Sequence, residues 1–157
     1  MYVELHARSA FSFLEGASVP EDLVDACAEL GLPAMALLDR DGVYGAPRFH
    51  LAAKKKGVRA CIGAEATVGI SNFAKSIRHA VGAQHAAPVA SPFPLTFRYP
   101  LLAASREGYQ NLCRLITQMK MRAPKNAPPE EYAVALEDVR PFTAGLICLT
   151  GGAEGPL

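Results

Sequence analysis

The side chains able to do chemistry fall in a few short stretches: His6-Ala7-Arg8, Glu15, Asp39-Arg40-Asp41 and Glu65. An imidazole gathered with several carboxylates is the donor set of a divalent metal, which activates water and clamps phosphate oxygens in phosphoester hydrolysis. The arginines oppose that use. A guanidinium has no lone pair to donate, stays protonated in proteins and repels a neighbouring cation. Two readings follow for Arg8 and Arg40. Their forked donors grip a phosphate, or they pair with Asp39, Asp41, Glu15 or Glu65 and act as fixed balancing charges. His6 is either a ligand to one metal ion together with Glu15 and Glu65 or a hydrogen-bonded histidine in a polar pocket. Asp39 and Asp41 either join the site or cap and shape a turn that Gly42 and Gly45 make flexible.

The elements that would position these groups follow from periodicity. Tyr2 to Ala7 alternates as a strand, and its polar end leads into a loop. Ser18-Val19-Pro20-Glu21 reads as a capping box, followed by Leu23, Val24, Cys27 and Leu30 at helical spacing until Gly31. Ala34 to Leu38 is a continuous apolar run of the kind found in a strand covered on both faces, ending abruptly at Asp39. A helix is expected from about Ala46 to Lys56, with Phe49, Leu51 and Ala52 inward and Gly57 as its stop. Arg59 to Val68 supplies a third strand and Leu95 to Ala104 a further one. Arg106 to Arg122 is a helix with Tyr109, Leu112, Cys113, Leu115, Ile116 and Met119 on its apolar face. A short helix near Leu136–Val139 precedes a buried strand within Gly145–Thr150. Residues 69–94, rich in Gly, Ala, Ser and Pro, read as an irregular insert carrying His79 and His85; neither these nor His50 has ligand spacing.

Alternating strands and helices with short joins predict an α/β fold with a parallel sheet, in one domain over residues 1–157. In such folds ligands bind at the exits of the strands, which is where the polar residues gather. About five strands are too few to close a barrel, for which about eight are usual. The expectation is therefore an incomplete barrel whose remainder lies elsewhere or whose edge a partner covers.

Composition narrows the class. The chain has 157 residues, 50% hydrophobic and 20% charged, enough to bury a core. No run reaches the roughly 18 apolar residues of a membrane span, and the first residues lack a basic start followed by an apolar stretch, so a cytoplasmic protein with no membrane partner is expected. Cys27, Cys61, Cys113 and Cys148 lie far apart among apolar neighbours and read as buried free thiols. The net charge of +1 conceals 7 basic and 9 acidic residues before Gly69, 8 and 1 from Gly69 to Pro128, and 1 and 5 thereafter. The basic middle either faces phosphates or is a solvated surface. Lys54-Lys55-Lys56 suits a helix C-terminus and needs no nucleic acid to explain it.

The run Glu4-Leu5-His6-Ala7-Arg8-Ser9-Ala10-Phe11-Ser12-Phe13-Leu14-Glu15-Gly16-Ala17-Ser18 resembles the opening of the PHP (polymerase and histidinol phosphatase) domain. More narrowly it resembles the amino-terminal PHP domain of bacterial C-family DNA polymerases, the error-prone relatives of the polymerase III alpha subunit in particular. Ala36–Gly45, Gly63-Ala64-Glu65, Glu107–Thr117 and Gly145–Gly151 follow in family order, so the likeness covers nearly the whole chain outside the insert. It implies a PHP-type (β/α) barrel. It also implies that Arg8, Arg40, Arg98 and Gly152 stand at former ligand positions, with an aspartate replaced by Glu15 and only His6 and Glu65 unchanged; the remaining ligands would lie beyond Leu157. The resemblance thus implies a degenerate metal site of His6, Glu15 and Glu65 with no catalytic residue and no cofactor, or, if any, a divalent Zn, Mn or Fe ion. The implied role is a non-catalytic structural module of an error-prone DNA polymerase acting in translesion repair. Its partners would be the polymerase module of the same or a larger protein and, in that parent, DNA. Two alternatives stand beside it: an active metal-dependent phosphoesterase or 3′-5′ exonuclease, and a standalone interaction module or gene remnant.

Overall fold

The computed structural model describes residues 2–69, 96–123, 133–152 and 155. Beyond Gly69 the expected insert lies outside the described residues, as do His79 and His85. The chain runs β1 (Glu4–Ala7), α1 (Pro20–Glu29), β2 (Ala34–Arg40), α2 (Ala46–Lys56), β3 (Arg59–Gly69), β4 (Thr96–Ala103), α3 (Arg106–Arg122), β5 (Val134–Ala135), α4 (Leu136–Val139), a 3-10 turn (Arg140–Phe142) and β6 (Leu146–Cys148). The strands form one sheet in the order β1-β2-β3-β4-β6, with β5 beside the end of β3. β1, β2 and β3 are parallel neighbours, and β5 is parallel to β3. β4 runs antiparallel to both β3 and β6. The sheet is therefore mainly parallel, as expected, with one reversed strand.

That reversal matters for the site. Cross-strand register places Gly63 opposite Leu102, Glu65 opposite Pro100 and Thr67 opposite Arg98. The first residues of β4 thus stand at the edge where β2 and β3 end. Alternation along the strands then sorts two faces. Met35 and Leu37 of β2 pack with Val24 and Cys27 of α1 and with Phe49 and Ala53 of α2, while Ala64, Ala66 and Val68 of β3 pack with Leu112, Leu115 and Met119 of α3. On the other face Ala36, Leu38 and Leu102 cluster with Cys61 and Leu149. Two residues further along that inner face, toward the strand exits, stand Arg40 and Glu65. The inner face is apolar in its middle and charged at its exit edge.

Several local expectations need correction. The Ser18 capping box does not form: Pro20 opens the helix, so the N-cap falls on Val19, which has no side-chain cap, and the Ser18 carbonyl accepts from Ala10 N instead. β2 extends through Asp39 and Arg40, which therefore belong to the strand and not to the loop after it. In α2 the inward spacing is Ala46, Phe49 and Ala53, which leaves Leu51 on the outer side and 59% exposed. In α3 it is Gly108, Leu112, Leu115 and Met119, which leaves Tyr109 exposed. β6 has Ile147 and Cys148 exposed and is not a buried strand, because among the described residues it pairs with β4 alone. Of the four thiols only Cys27 is fully buried.

The start of α3 is locked to the entry of β6. Ser105 caps the helix by accepting from Gly108 N at 3.1 Å, and Ala104 N donates to the Gly145 carbonyl at 2.9 Å. A Cβ added at Gly108 would sit 1.8 Å from that carbonyl oxygen, whereas one added at Gly152 would meet nothing within 4 Å. Gly108→Ala is expected to destabilise the fold by about 2–4 kcal/mol and Gly152→Ala to stay within about 0.5 kcal/mol of the parent, read from urea unfolding midpoints.

Candidate functional site

The site begins with a buried carboxylate held by hydrogen bonds. Asp39, at the end of the apolar run of β2, is 1% exposed. A charge there must be met by donors. Its Oδ1 accepts from Ser9 N at 2.9 Å, Ser9 Oγ at 2.7 Å and Ser12 Oγ at 3.0 Å, and its Oδ2 from Gly45 N at 3.0 Å. Ser12 Oγ in turn accepts from Arg40 N at 3.0 Å. A side chain at Gly45 would put its Cβ 2.7 Å from Asp39 Oδ2, so the glycine permits a close approach and does not supply flexibility. Asp39 thereby ties the loop after β1 to β2 and to the start of α2. Asp41, also buried, adopts φ 47° and accepts from Thr67 N at 2.8 Å and Thr67 Oγ1 at 2.9 Å. Burial pushes its carboxyl above the ordinary range, against the Thr67 hydrogen bonds and the Lys120 and Arg40 charges that pull the other way.

The loop held by Asp39 turns at Leu14 and brings Glu15 back over the strand exits. Glu15 Oε1 accepts from Arg40 Nη1 at 2.6 Å and Arg98 Nη2 at 2.8 Å; Oε2 accepts from Arg98 Nη1 at 2.7 Å and Arg8 Nη1 at 3.2 Å. Arg98 is a bidentate partner, and Arg8 and Arg40 flank it. Glu65, 2% exposed, meets His6 Nε2 and Arg8 Nη2 through Oε1 at 2.7 and 2.8 Å. Its Oε2 lies 2.7 Å from Arg8 Nη2 and 3.5 Å from Arg98 Nη1, but neither approach is aligned as a hydrogen bond. The Oε2 contacts are Coulombic contacts without directed bonds. Arg40 Nε, buried and also without a hydrogen bond, is 3.7 Å from Asp41.

The geometry thus joins His6, Arg8, Glu15, Arg40, Glu65 and Arg98 in one network. Asp39 stands apart from the ion pairs found among the described residues, so the expected Asp39 pairing is replaced by hydrogen bonds to neutral donors. Asp41 makes a long contact to Arg40 and also feels the Lys120 charge. Gly152 contributes no side chain. Ser9, Ser12 and Thr67 were not singled out by their sequence pattern, since polar residues near strand ends are common; the signal was a buried-looking aspartate that had to find donors somewhere.

A divalent ion does not suit this donor set. All four oxygens of Glu15 and Glu65 have a guanidinium within 3.2 Å, and three permanent cations face two carboxylates. Among the described residues no three His, Cys, Asp or Glu side chains are grouped to hold a metal. The Arg98 hydrogen bonds, and then the charges of Arg98, Arg40 and Arg8, hold the Glu15 carboxyl below its ordinary value against the opposing effect of burial.

The sequence matches the PHP domain family over residues 4–157. The error-prone DNA polymerase of Anaeromyxobacter sp. (strain K) is 41% identical over 159 residues, which cover 98% of this chain and 12% of that protein. The error-prone DNA polymerase of Mycobacterium tuberculosis (H37Rv) is 40% identical over 128 residues, covering 82% of this chain and 10% of its own length. The chain therefore spans only a small part of these relatives. Among solved structures, a Bifidobacterium adolescentis protein assigned as a metal-dependent phosphoesterase superposes with a TM-score of 0.52 at 16% identity, over 76% of this chain and 33% of that one. An amidohydrolase from Chromobacterium violaceum, with bound sulfate and no metal, gives 0.51 at 19% identity over 77% and 34%. At these identities the likeness is one of fold, and it agrees with an incomplete PHP-type barrel.

A depressed carboxyl pKa fixes the sign of a pH effect. Glu15 contributes stability that is fully present above its ordinary pKa of 4.5 and is lost as pH falls through the lower folded value. Asp41 works in the opposite sense, its contribution being lost as pH rises through its raised folded value. Glu15→Gln is expected to cost about 2–4 kcal/mol at neutral pH, by leaving three guanidiniums against one carboxylate, and to flatten the acid limb of a stability–pH curve measured by chemical denaturation.

Proposed function

The chain belongs to the PHP domain family, and from that premise we propose that it is a non-catalytic structural module of an error-prone DNA polymerase, in which arginines take the charge-balancing place of metal ions. The observation that carries this reading is the engagement of both site carboxylates by Arg8, Arg40 and Arg98. A metal-activated water needs open coordination positions and anionic or neutral donors. Here the carboxylates already face cations that cannot be deprotonated. His6, hydrogen-bonded to Glu65, is then a member of the polar network. The longer protein is a nucleotidyltransferase acting on DNA in translesion repair in the cytoplasm, and its polymerase portion is the partner of this module. No helix among the described residues is long and apolar enough to cross a membrane.

The test is metal analysis of the purified protein together with thermal unfolding in excess chelator. Sub-stoichiometric Zn, Mn and Fe and an unchanged Tm with and without chelator are expected. Stoichiometric metal, a Tm that falls on chelation, or release of phosphate or nucleotides that His6→Ala abolishes would establish a working phosphoesterase or 3′-5′ exonuclease instead.

A further inference from the structure

The loop between β1 and α1 is held down by anchors of two different kinds. Ser9 and Ser12 are buried on Asp39 through neutral hydroxyl and amide donors, and Ala10 N donates to Ser18 O at 2.8 Å, which closes the base of the loop. Gly16 lies against the same base, where an added Cβ would sit 2.0 Å from the Ser9 carbonyl oxygen. Between Ser12 and Gly16 the anchoring is ionic. The Glu15 side chain, 18% exposed, is held by Arg8, Arg40 and Arg98.

Leu14, next to that ionic anchor, takes φ 64°. For a leucine the left-handed conformation carries a penalty equivalent to about a five- to thirtyfold shift in population, and its side chain cannot offset it with the local hydrogen bond that asparagine or aspartate would make. Strain of this kind persists only where the surroundings impose it. The surroundings here are Ser12 on one side, fixed by Asp39, and Glu15 on the other, fixed by three guanidiniums. The left-handed residue is what turns the chain back between them, and Glu15 N then donates to the Ser12 carbonyl at 2.9 Å.

We infer that the tip from Phe13 to Glu15 is a sprung latch across the strand exits. The Glu15 ion pairs hold Leu14 left-handed. When they let go, Leu14 relaxes, the Glu15 N bond to Ser12 breaks, and the faces of Arg8, Arg40 and Arg98 that Glu15 covered are opened. The base of the loop stays in place, because its bonds are made to a carboxylate that is 1% exposed. Salt tells the two anchors apart, since it screens charge pairs that water reaches and not hydrogen bonds that are sealed from it. The latch is independent of whether the longer protein is a polymerase.

Amide hydrogen exchange of the full-length natural protein, read at single-residue resolution, tests this. The Glu15 amide reports the tip, and the Ser12 amide, which donates to the Ser9 carbonyl at 2.9 Å, reports the base. Protection at Glu15 is expected to be at least about tenfold lower than at Ser12, and to fall further between about 0.05 and about 0.5 M salt while Ser12 stays unchanged. Leu14→Asn relieves the strain and is expected to raise Glu15 protection about tenfold. In the Glu15→Gln background, where the latch is already released, the same substitution is expected to change protection by less than about twofold. Equal effects of Leu14→Asn in both backgrounds overturn the inference, since the strain would then not be held by Glu15. So does loss of protection at Ser12 in step with Glu15, which would mean the whole loop opens. Protection at Glu15 that equals Ser12 and ignores salt overturns it as well, because the tip would then be fixed by other parts of the protein.

Discussion

The arrangement of this domain depends on a negative charge placed where water cannot reach it. Asp39 sits at the end of a strand whose preceding residues are all buried, and four directed hydrogen bonds from Ser9, Ser12 and Gly45 make that position tolerable. Those donors lie on the loops after β1 and β2. Satisfying one carboxylate therefore draws two loops onto the exit edge of the sheet. The placement of Glu15, and with it the convergence of three arginines, follows from that tether. A buried charge with too few donors would be a source of instability; with its donors supplied from two separate loops it becomes the point that registers them.

Much of the scaffold was legible because its punctuation is chemical. Pro47 and Gly57 bracket α2, whose limits fall where the pattern puts them, and Gly57 indeed adopts φ 70°. Ser105 and the change of backbone at Ala123 bound α3 in the same way. Where two signals competed, the stiffer one won. At Ser18-Val19-Pro20 the proline ring set the first helical residue and the serine lost its capping role. Strand direction is a different matter. The eight residues of β4 alternate identically whether read forward or backward, and only the pairing of Gly63 with Leu102 and Thr67 with Arg98 settles its reversal.

The site was legible in its members more than in its wiring. His6, Arg8, Glu15, Arg40, Glu65 and Arg98 could be singled out by type and by family resemblance, yet nothing in their spacing says that Glu15 is the hub or that Asp39 stays outside the ion pairs. Such choices depend on how far the Ser9–Gly16 loop folds back, which is a tertiary matter set by Asp39. The exposed pair Phe13-Leu14 shows the same limit in reverse. An apolar dipeptide between polar neighbours reads as ordinary loop sequence until its exposure and the φ of Leu14 are seen together.

Sharing carboxylates among several cations also has a historical side. Glu15 serves three guanidiniums, and Glu65 serves Arg8, His6 and, at longer range, Arg98. Substitutions at these positions are therefore coupled, and each change is judged against partners that have not yet changed. A lineage replacing the arginines one by one with metal ligands would pass through forms holding an orphaned carboxylate or a cation crowded against another. Assembling a metal-ligand set at these positions would require concerted changes on several elements. The network therefore favours changes that come together over changes that come singly.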